Sequence, residues 1–164
     1  MSGVKNHRLS RAAHRAALFV FVALVAGAIE PAGSKAEMAH QPLKLVTAAG
    51  ERVLEIEIAS TEQEKATGLM FRTSLADDHG MLFPSQTPRE ASMWMRNTYI
   101  PLDMVFINAD GTVRRIEVMT EPLSERIIAS GGPVLAVLEL AGGAAERLGL
   151  KPGDKVRYPL FDGP

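Results

Sequence analysis

The chain has 164 residues, of which 46% are hydrophobic and 23% are charged, and its formal net charge is −1. This length suits one globular domain with an appendage and leaves no room for a second full domain. Because the chain contains no cysteine, disulfide scaffolds, thiolate metal sites and cysteine nucleophiles are excluded. The near-neutral charge argues against a nucleic-acid-binding protein, which normally presents a strongly basic face.

The N-terminal segment has the layout of a secretory signal. Basic residues precede an uncharged apolar run, residues 16–29, which is shorter than the roughly 20 residues of a permanent membrane span. We expect cleavage after Ala36, with Ser34 as the second small residue of the cleavage site, and a cut after Ala28 is the alternative. Residues 1–36 are therefore predicted to be a signal peptide, and the mature protein to be periplasmic or extracellular without a permanent membrane span. An uncleaved anchor would tether the same domain outside the membrane.

Downstream of this segment the sequence predicts a flexible leader, 37–42, and one mainly β domain, 43–160. Alternating apolar residues predict strands at 43–45 and 54–58, the second with its glutamates on a wet face. A capping box at Thr61 and Glu64 predicts a helix over 61–70. Further short strands are predicted at 81–83, 92–95, 102–107, 113–118, 127–129, 134–140 and 156–158, with a hairpin turn at 108–111 and a second helix at 144–148. Many short strands with two short helices indicate a sandwich or a squashed barrel.

Four stretches of the chain, in this order, resemble the domain of unknown function 192 family. They are GLMFRTSL (68–75), HGMLF (79–83), MWMRNTYIPLDMVFINADGTV (93–113) and VLELAGGAAERLGLKPGDKV (137–156). The resemblance implies a compact, mainly β fold of the sandwich or jelly-roll type, often exported in bacteria, and it implies no established activity. Members commonly carry an aromatic residue directly before the tryptophan, where this chain has Met93.

The number and spacing of potential metal-ligating and catalytic residues exclude several kinds of site. Only His40 and His79 follow the predicted signal, and two histidines without cysteines cannot assemble a closed zinc site. The sequence contains no nucleophile elbow, glycine-rich phosphate loop or EF-hand loop. No cofactor and no resident metal are therefore predicted.

Two carboxylates interrupt predicted strands that are otherwise aliphatic, Asp103 and Glu139. Burying a carboxylate costs free energy unless donors or a cation compensate, so each should have a partner. The candidates within the same motifs are Arg72, Arg96 and Asn97. In one interpretation, Arg72 or Arg96 forms a structural fork with these carboxylates.

In a second interpretation the same residues line a small polar pocket beside an aromatic wall, suited to a sugar or another polar ligand. This predicted ligand-binding set is Arg72, Trp94, Arg96, Asn97, Asp103 and Glu139. A third interpretation makes Asp103 and Glu139 the acid and base of a hydrolase, which requires carboxyl groups about 5 to 9 Å apart. The sequence favours a non-catalytic binding or accessory domain, whose partner is a small polar ligand or a cell-envelope component.

Methionines are frequent around the single tryptophan. Met93 and Met95 flank Trp94, and two residues that far apart on a strand point to one face, as core methionines do. Thioethers beside a tryptophan also suit Cu(I), so a copper-binding protein is a further alternative. The other methionines in these motifs are Met70, Met81, Met104 and Met119.

Overall fold

The computed structural model describes residues 38–162, which form one sheet of seven strands and two short α-helices. The predicted signal peptide lies outside the described residues. The strands are β1 (Gln41–Thr47), β2 (Gly50–Ile58), β3 (His79–Met93), β4 (Leu102–Ile107), β5 (Val113–Glu117), β6 (Ile128–Ala141) and β7 (Lys155–Arg157); the helices are α1 (Glu62–Thr67) and α2 (Ala144–Arg147), followed by a 3-10 helix at Pro159–Phe161. Within residues 38–162, none of the helices has the length and apolar character that crossing a membrane requires.

The sheet is curled so that its two ends meet. Its strand order is β5-β4-β6-β3-β2-β1-β7, with β2 and β3 parallel and the other pairs antiparallel. At the ends, Thr112 bridges to Lys155, and the Val156 N–H donates to the Gly111 carbonyl at 2.8 Å. The mainly β prediction is confirmed, in the form of one curled sheet rather than two stacked layers.

Each face of the sheet buries its own core. The first core takes residues from all seven strands, as expected for the concave face of a curled sheet, and includes Leu54, Val105 and Leu138. The second core lies on the other face and includes Phe106 and Val137. Because side chains alternate along a strand, neighbouring residues of β4 and β6 belong to different cores.

Several predicted strand ends are bulges inside longer strands. The predicted strands 81–83 and 92–95 are both part of β3, and 127–129 and 134–140 are both part of β6. The β3–β6 register shifts between Pro84 and Arg89 and again between Glu90 and Ser92, where the facing segment of β6 contains Gly131. The prolines and glycines that indicate turns in the sequence are therefore accommodated as irregularities of one long ladder.

The first strand begins inside the segment predicted as a leader. Gln41 and Pro42 pair with Ile56 and Glu55 of β2, and the Tyr158 hydroxyl donates to the Gln41 side chain at 2.6 Å. The predicted leader boundary at 42 is therefore wrong, because these pairings extend the ladder past the first apolar residue.

The capping box predicted for the first helix is confirmed. The Thr61 hydroxyl accepts from the Glu64 N–H at 3.1 Å, and the Glu64 carboxylate accepts from the Thr61 N–H at 2.8 Å. The helix ends at Thr67, three residues earlier than predicted, because Gly68 has a φ of 46°. A Cβ at Gly68 would stand 3.1 Å from the Phe83 ring, so this glycine lets the chain turn closely over β3.

Closure of the curled sheet predicts different costs for two glycine substitutions. A Cβ at Gly111 (φ +80°) would stand 2.5 Å from the Val156 carbonyl oxygen, whereas a Cβ at Gly153 (φ +92°) meets nothing within 4 Å. Both Gly111→Ala and Gly153→Ala place a side chain on left-handed backbone, which should lower the free energy of unfolding by about 1–2 kcal/mol. Gly111→Ala should lose about 1–3 kcal/mol more through overpacking, measured by urea unfolding. Equal losses would contradict closure at this point.

Candidate functional site

Glu139 lies in the middle of β6 on the face of the second core. Its register partners are Met104 on β4 and Met81 on β3, and both methionines are fully buried. Glu139 itself is only 4% exposed, and no described residue donates a hydrogen bond to its carboxyl group or pairs with it. Burial alone raises the pKa of Glu139 to about 8, so the acid is mostly protonated at neutral pH.

A cleft of about 210 Å³ is lined by Glu139, the end of α1, β3 and the loop that follows β3. Its walls are largely apolar and include Met70, Phe83, Met93 and Trp94. A neighbouring cleft of about 420 Å³ follows the irregular part of β3 and shares Phe83 and Met93 with the first. Among the described lining residues of the smaller cleft, the charged ones are Glu139, Lys65 and Arg96.

The loop after β3 is anchored by two buried residues. Met95 and Thr98 are buried, and the Met95 sulfur accepts from the Thr120 hydroxyl at 3.1 Å. Trp94 and Arg96 flank Met95 and are exposed. The guanidinium of Arg96 lies 4.5 Å from the centre of the Trp94 ring, a cation–π contact. The anchoring therefore holds an aromatic ring and a cation together at the cleft.

The structure brings together three of the six predicted site residues. Trp94, Arg96 and Glu139 line the same cleft. Asn97 lies beside it, with its amide nitrogen 3.8 Å from the Met70 sulfur. The remaining two, Arg72 and Asp103, lie elsewhere.

Asp103 lies on the opposite face of the sheet, where it pairs in register with Leu140 of the first core. Its carboxylate accepts three backbone N–H groups, from Met119 at 2.8 Å, Gly143 at 2.9 Å and Ala145 at 2.8 Å. The expected arginine fork on Asp103 is therefore wrong, because backbone amides provide the donors. Because Asp103 and Glu139 lie on opposite faces, they do not form the acid and base pair of the hydrolase alternative.

Arg72 binds a different carboxylate, Glu57 of β2. The two guanidinium nitrogens donate to the two carboxylate oxygens at 2.5 and 2.6 Å. Glu57 was predicted on a wet face but is 6% exposed, and His40 lies 3.7 Å from one of its oxygens. Burial raises the pKa of Glu57, but the hydrogen bonds and charge of Arg72, together with His40, outweigh this and leave the pKa lowered.

Three of the seven methionines within residues 38–162 are core residues, and Met119 is exposed. Met81, Met95 and Met104 are buried in the second core, which agrees with their interpretation as packing residues, whereas Met70 and Met93 line the cleft. Within residues 38–162, no group of three histidine, cysteine or acidic side chains is placed to hold a metal ion.

The comparisons with known proteins agree with this fold. The model of the DUF192 family, described as "Uncharacterized ACR", matches residues 44–158. The chain belongs to the DUF192 family. One similar crystal structure is of a Sinorhizobium meliloti 1021 protein provisionally named a transcription regulator, at 45% identity and a TM-score of 0.70, covering 74% of this chain and 96% of that one. Another is of a Novosphingobium aromaticivorans DSM 12444 protein of unknown function, at 44% identity and a TM-score of 0.73, covering 77% and 90%. No curated protein matches this DUF192 chain.

The three bonds to Asp103 predict a large loss of stability on removing its charge. In Asp103→Asn an amide nitrogen faces backbone donors, so we expect a loss of about 2–4 kcal/mol in the free energy of unfolding. Asp77→Asn is the control, since it breaks an exposed ion pair with Arg147 that contributes less than about 1 kcal/mol. Urea unfolding of both variants measures the difference. Similar losses would contradict the structural role assigned to Asp103.

The raised pKa of Glu139 predicts a pH-dependent stability. The pKa is about 8 in the folded protein against 4.5 for an ordinary glutamate, so the unfolded state binds fewer protons between these values. The stabilisation is complete below about pH 4.5 and falls by up to about 1.4 kcal/mol per pH unit until about pH 8. Glu139→Gln lacks this dependence.

Chemical unfolding at pH 5, 6, 7 and 8 provides the measurement. The stability of Glu139→Gln relative to the native protein should increase with pH, whereas the exposed control Glu55→Gln should show no such trend. A constant difference between Glu139→Gln and the native protein would show that Glu139 is not held protonated.

Proposed function

We propose that this protein binds a small polar ligand in the cleft lined by Trp94, Arg96 and Glu139, without catalysis of its own. The proposal rests on the Glu139 carboxyl, which is buried beside the second core and lines the cleft without contacting a described donor. A purely structural position between Met81 and Met104 would be more stable with an aliphatic residue, because an unpartnered buried acid costs free energy.

The chemistry of the cleft supports a polar ligand. A protonated carboxyl group both donates and accepts hydrogen bonds, and Ser92 lines the same cleft. The Trp94 ring offers an apolar edge of the kind that packs against sugars. The volume of about 210 Å³ lies below the roughly 300–1,000 Å³ of sites for drug-sized molecules, which favours a small ligand such as a monosaccharide.

A binding role suits the cleft better than an enzymatic one. Its described lining holds Glu139 as the single carboxylate and contains no histidine, so a paired acid and base is not available there. The predicted export signal places this binding role outside the cytoplasm in our proposal.

A nucleic-acid-binding role has little support from the described surface. Several arginines are paired with carboxylates, which removes the free positive charge that phosphate contacts need. These arginines are Arg72, Arg115, Arg126 and Arg147.

Calorimetric binding to neutral sugars, sugar acids, amino acids and cell-wall fragments tests the proposal. Trp94→Ala should weaken the binding of a hit about tenfold, because it removes both the aromatic wall and the support of Arg96. Tyr99→Ala is the matched control, since Tyr99 is a similarly exposed aromatic residue of the same loop that does not line the cleft. Equal affinity of Trp94→Ala and the native protein would contradict the assignment of the site.

A further inference from the structure

We infer that the ligand is a small zwitterion of the amino-acid type, with an ammonium group that pairs with Glu139 and a carboxylate that pairs with Arg96. This inference rests on the proposed function, because it names the ligand class of the same cleft.

Glu139 and Glu57 show what this face of the sheet requires. Both acids flank Met81 in register, so they lie on one face two strand spacings apart, a distance of about 9–10 Å. Glu57 has a cation from the chain itself, Arg72, at 2.5 Å. Glu139 is similarly buried and has no described cation. A ligand ammonium at Glu139 would supply the interaction that Arg72 supplies at Glu57.

The walls of the cleft around Glu139 also suit an ammonium group. They include Phe83, Met70 and Met93, and the faces of aromatic rings attract cations. A ligand hydroxyl would satisfy only the hydrogen-bonding capacity of the acid. An ammonium group adds an ion pair with a carboxylate that is only 4% exposed, and charges interact more strongly away from bulk water.

Arg96 indicates the opposite charge at the exposed side of the cleft. It is exposed, it rests on the Trp94 ring, and no described carboxylate lies within ion-pair distance of it. The other lining cation, Lys65, has a carboxylate neighbour in Glu62 at 3.3 Å. A simple amine would be repelled by Arg96 and a simple acid would leave Glu139 without a cation, whereas a zwitterion complements both groups.

Calorimetry of the full mature chain at pH 6.5 tests this inference. The panel is the proteinogenic amino acids, followed by the amide and the 2-hydroxy analogue of the tightest one, such as leucine, leucinamide and 2-hydroxy-4-methylpentanoate. Both analogues should bind at least tenfold more weakly than the amino acid. Titrations in two buffers of different ionisation enthalpy should show release of about one proton per amino acid bound, because the ammonium ionises Glu139. Lys65 and Arg96 are the other charged groups that face the cleft.

Variants assign each contact. Glu139→Gln should abolish proton release and weaken the binding of the amino acid at least tenfold. The affinity for the hydroxy analogue should stay unchanged. Arg96→Gln should weaken the binding of the amino acid but not the binding of its amide. Glu55→Gln and Arg52→Gln are the controls, since both residues are exposed on β2 and lie outside the cleft.

The outcomes separate this inference from the proposed function. If a neutral sugar binds without proton exchange and no amino acid binds, the zwitterionic ligand class is wrong and the proposed function stands. If an amino acid binds with equal affinity to native protein and Glu139→Gln, its assigned contact is wrong. Absence of binding by every probe would overturn both proposals.

Discussion

A carboxyl group buried in a β-sheet needs hydrogen-bond donors or a cation, and of three such acids in this protein two have them and the third does not. Asp103 takes three backbone N–H groups. Glu57 takes the fork of Arg72. Glu139 is left without a described partner, and its pKa rises to about 8 in consequence of burial. The first two acids hold the fold together, and the third distinguishes one cleft from the rest of the surface.

The two satisfied acids tie the connecting segments to the strands. Through Asp103, the start of α2 and the turn at Met119 are bonded to β4. The Arg72–Glu57 pair fixes the segment after α1 to β2, and the Phe71 N–H donates to the Asn97 carbonyl at 2.8 Å. Phe71 and Asn97 both have positive φ, a conformation that non-glycine residues adopt only where surrounding contacts impose it. Both segments that border the cleft are thus held by bonds outside it.

The sequence predicted the strands better than the partners of their buried acids. Apolar alternation located β4 and β6, and it correctly separated Asp103 and Glu139 from ordinary wet-face residues because both stand in aliphatic runs. It could not predict the donors to Asp103, since backbone amides carry no side-chain signature. It also placed Glu57 on a wet face, because its period-two pattern is the same whether water or Arg72 covers that face.

The assignment of Arg72 decides what remains for Glu139. From the sequence, Arg72 was a candidate partner of both Asp103 and Glu139. A fork onto Glu139 would have made a closed structural pair. Its two bonds to Glu57 use the fork at one end of the row of side chains that crosses β2, β3, β6 and β4. The rest of that row then consists of Met81, the protonated Glu139 and Met104. A group that carries its own positive charge into the cleft is the complement that this row lacks.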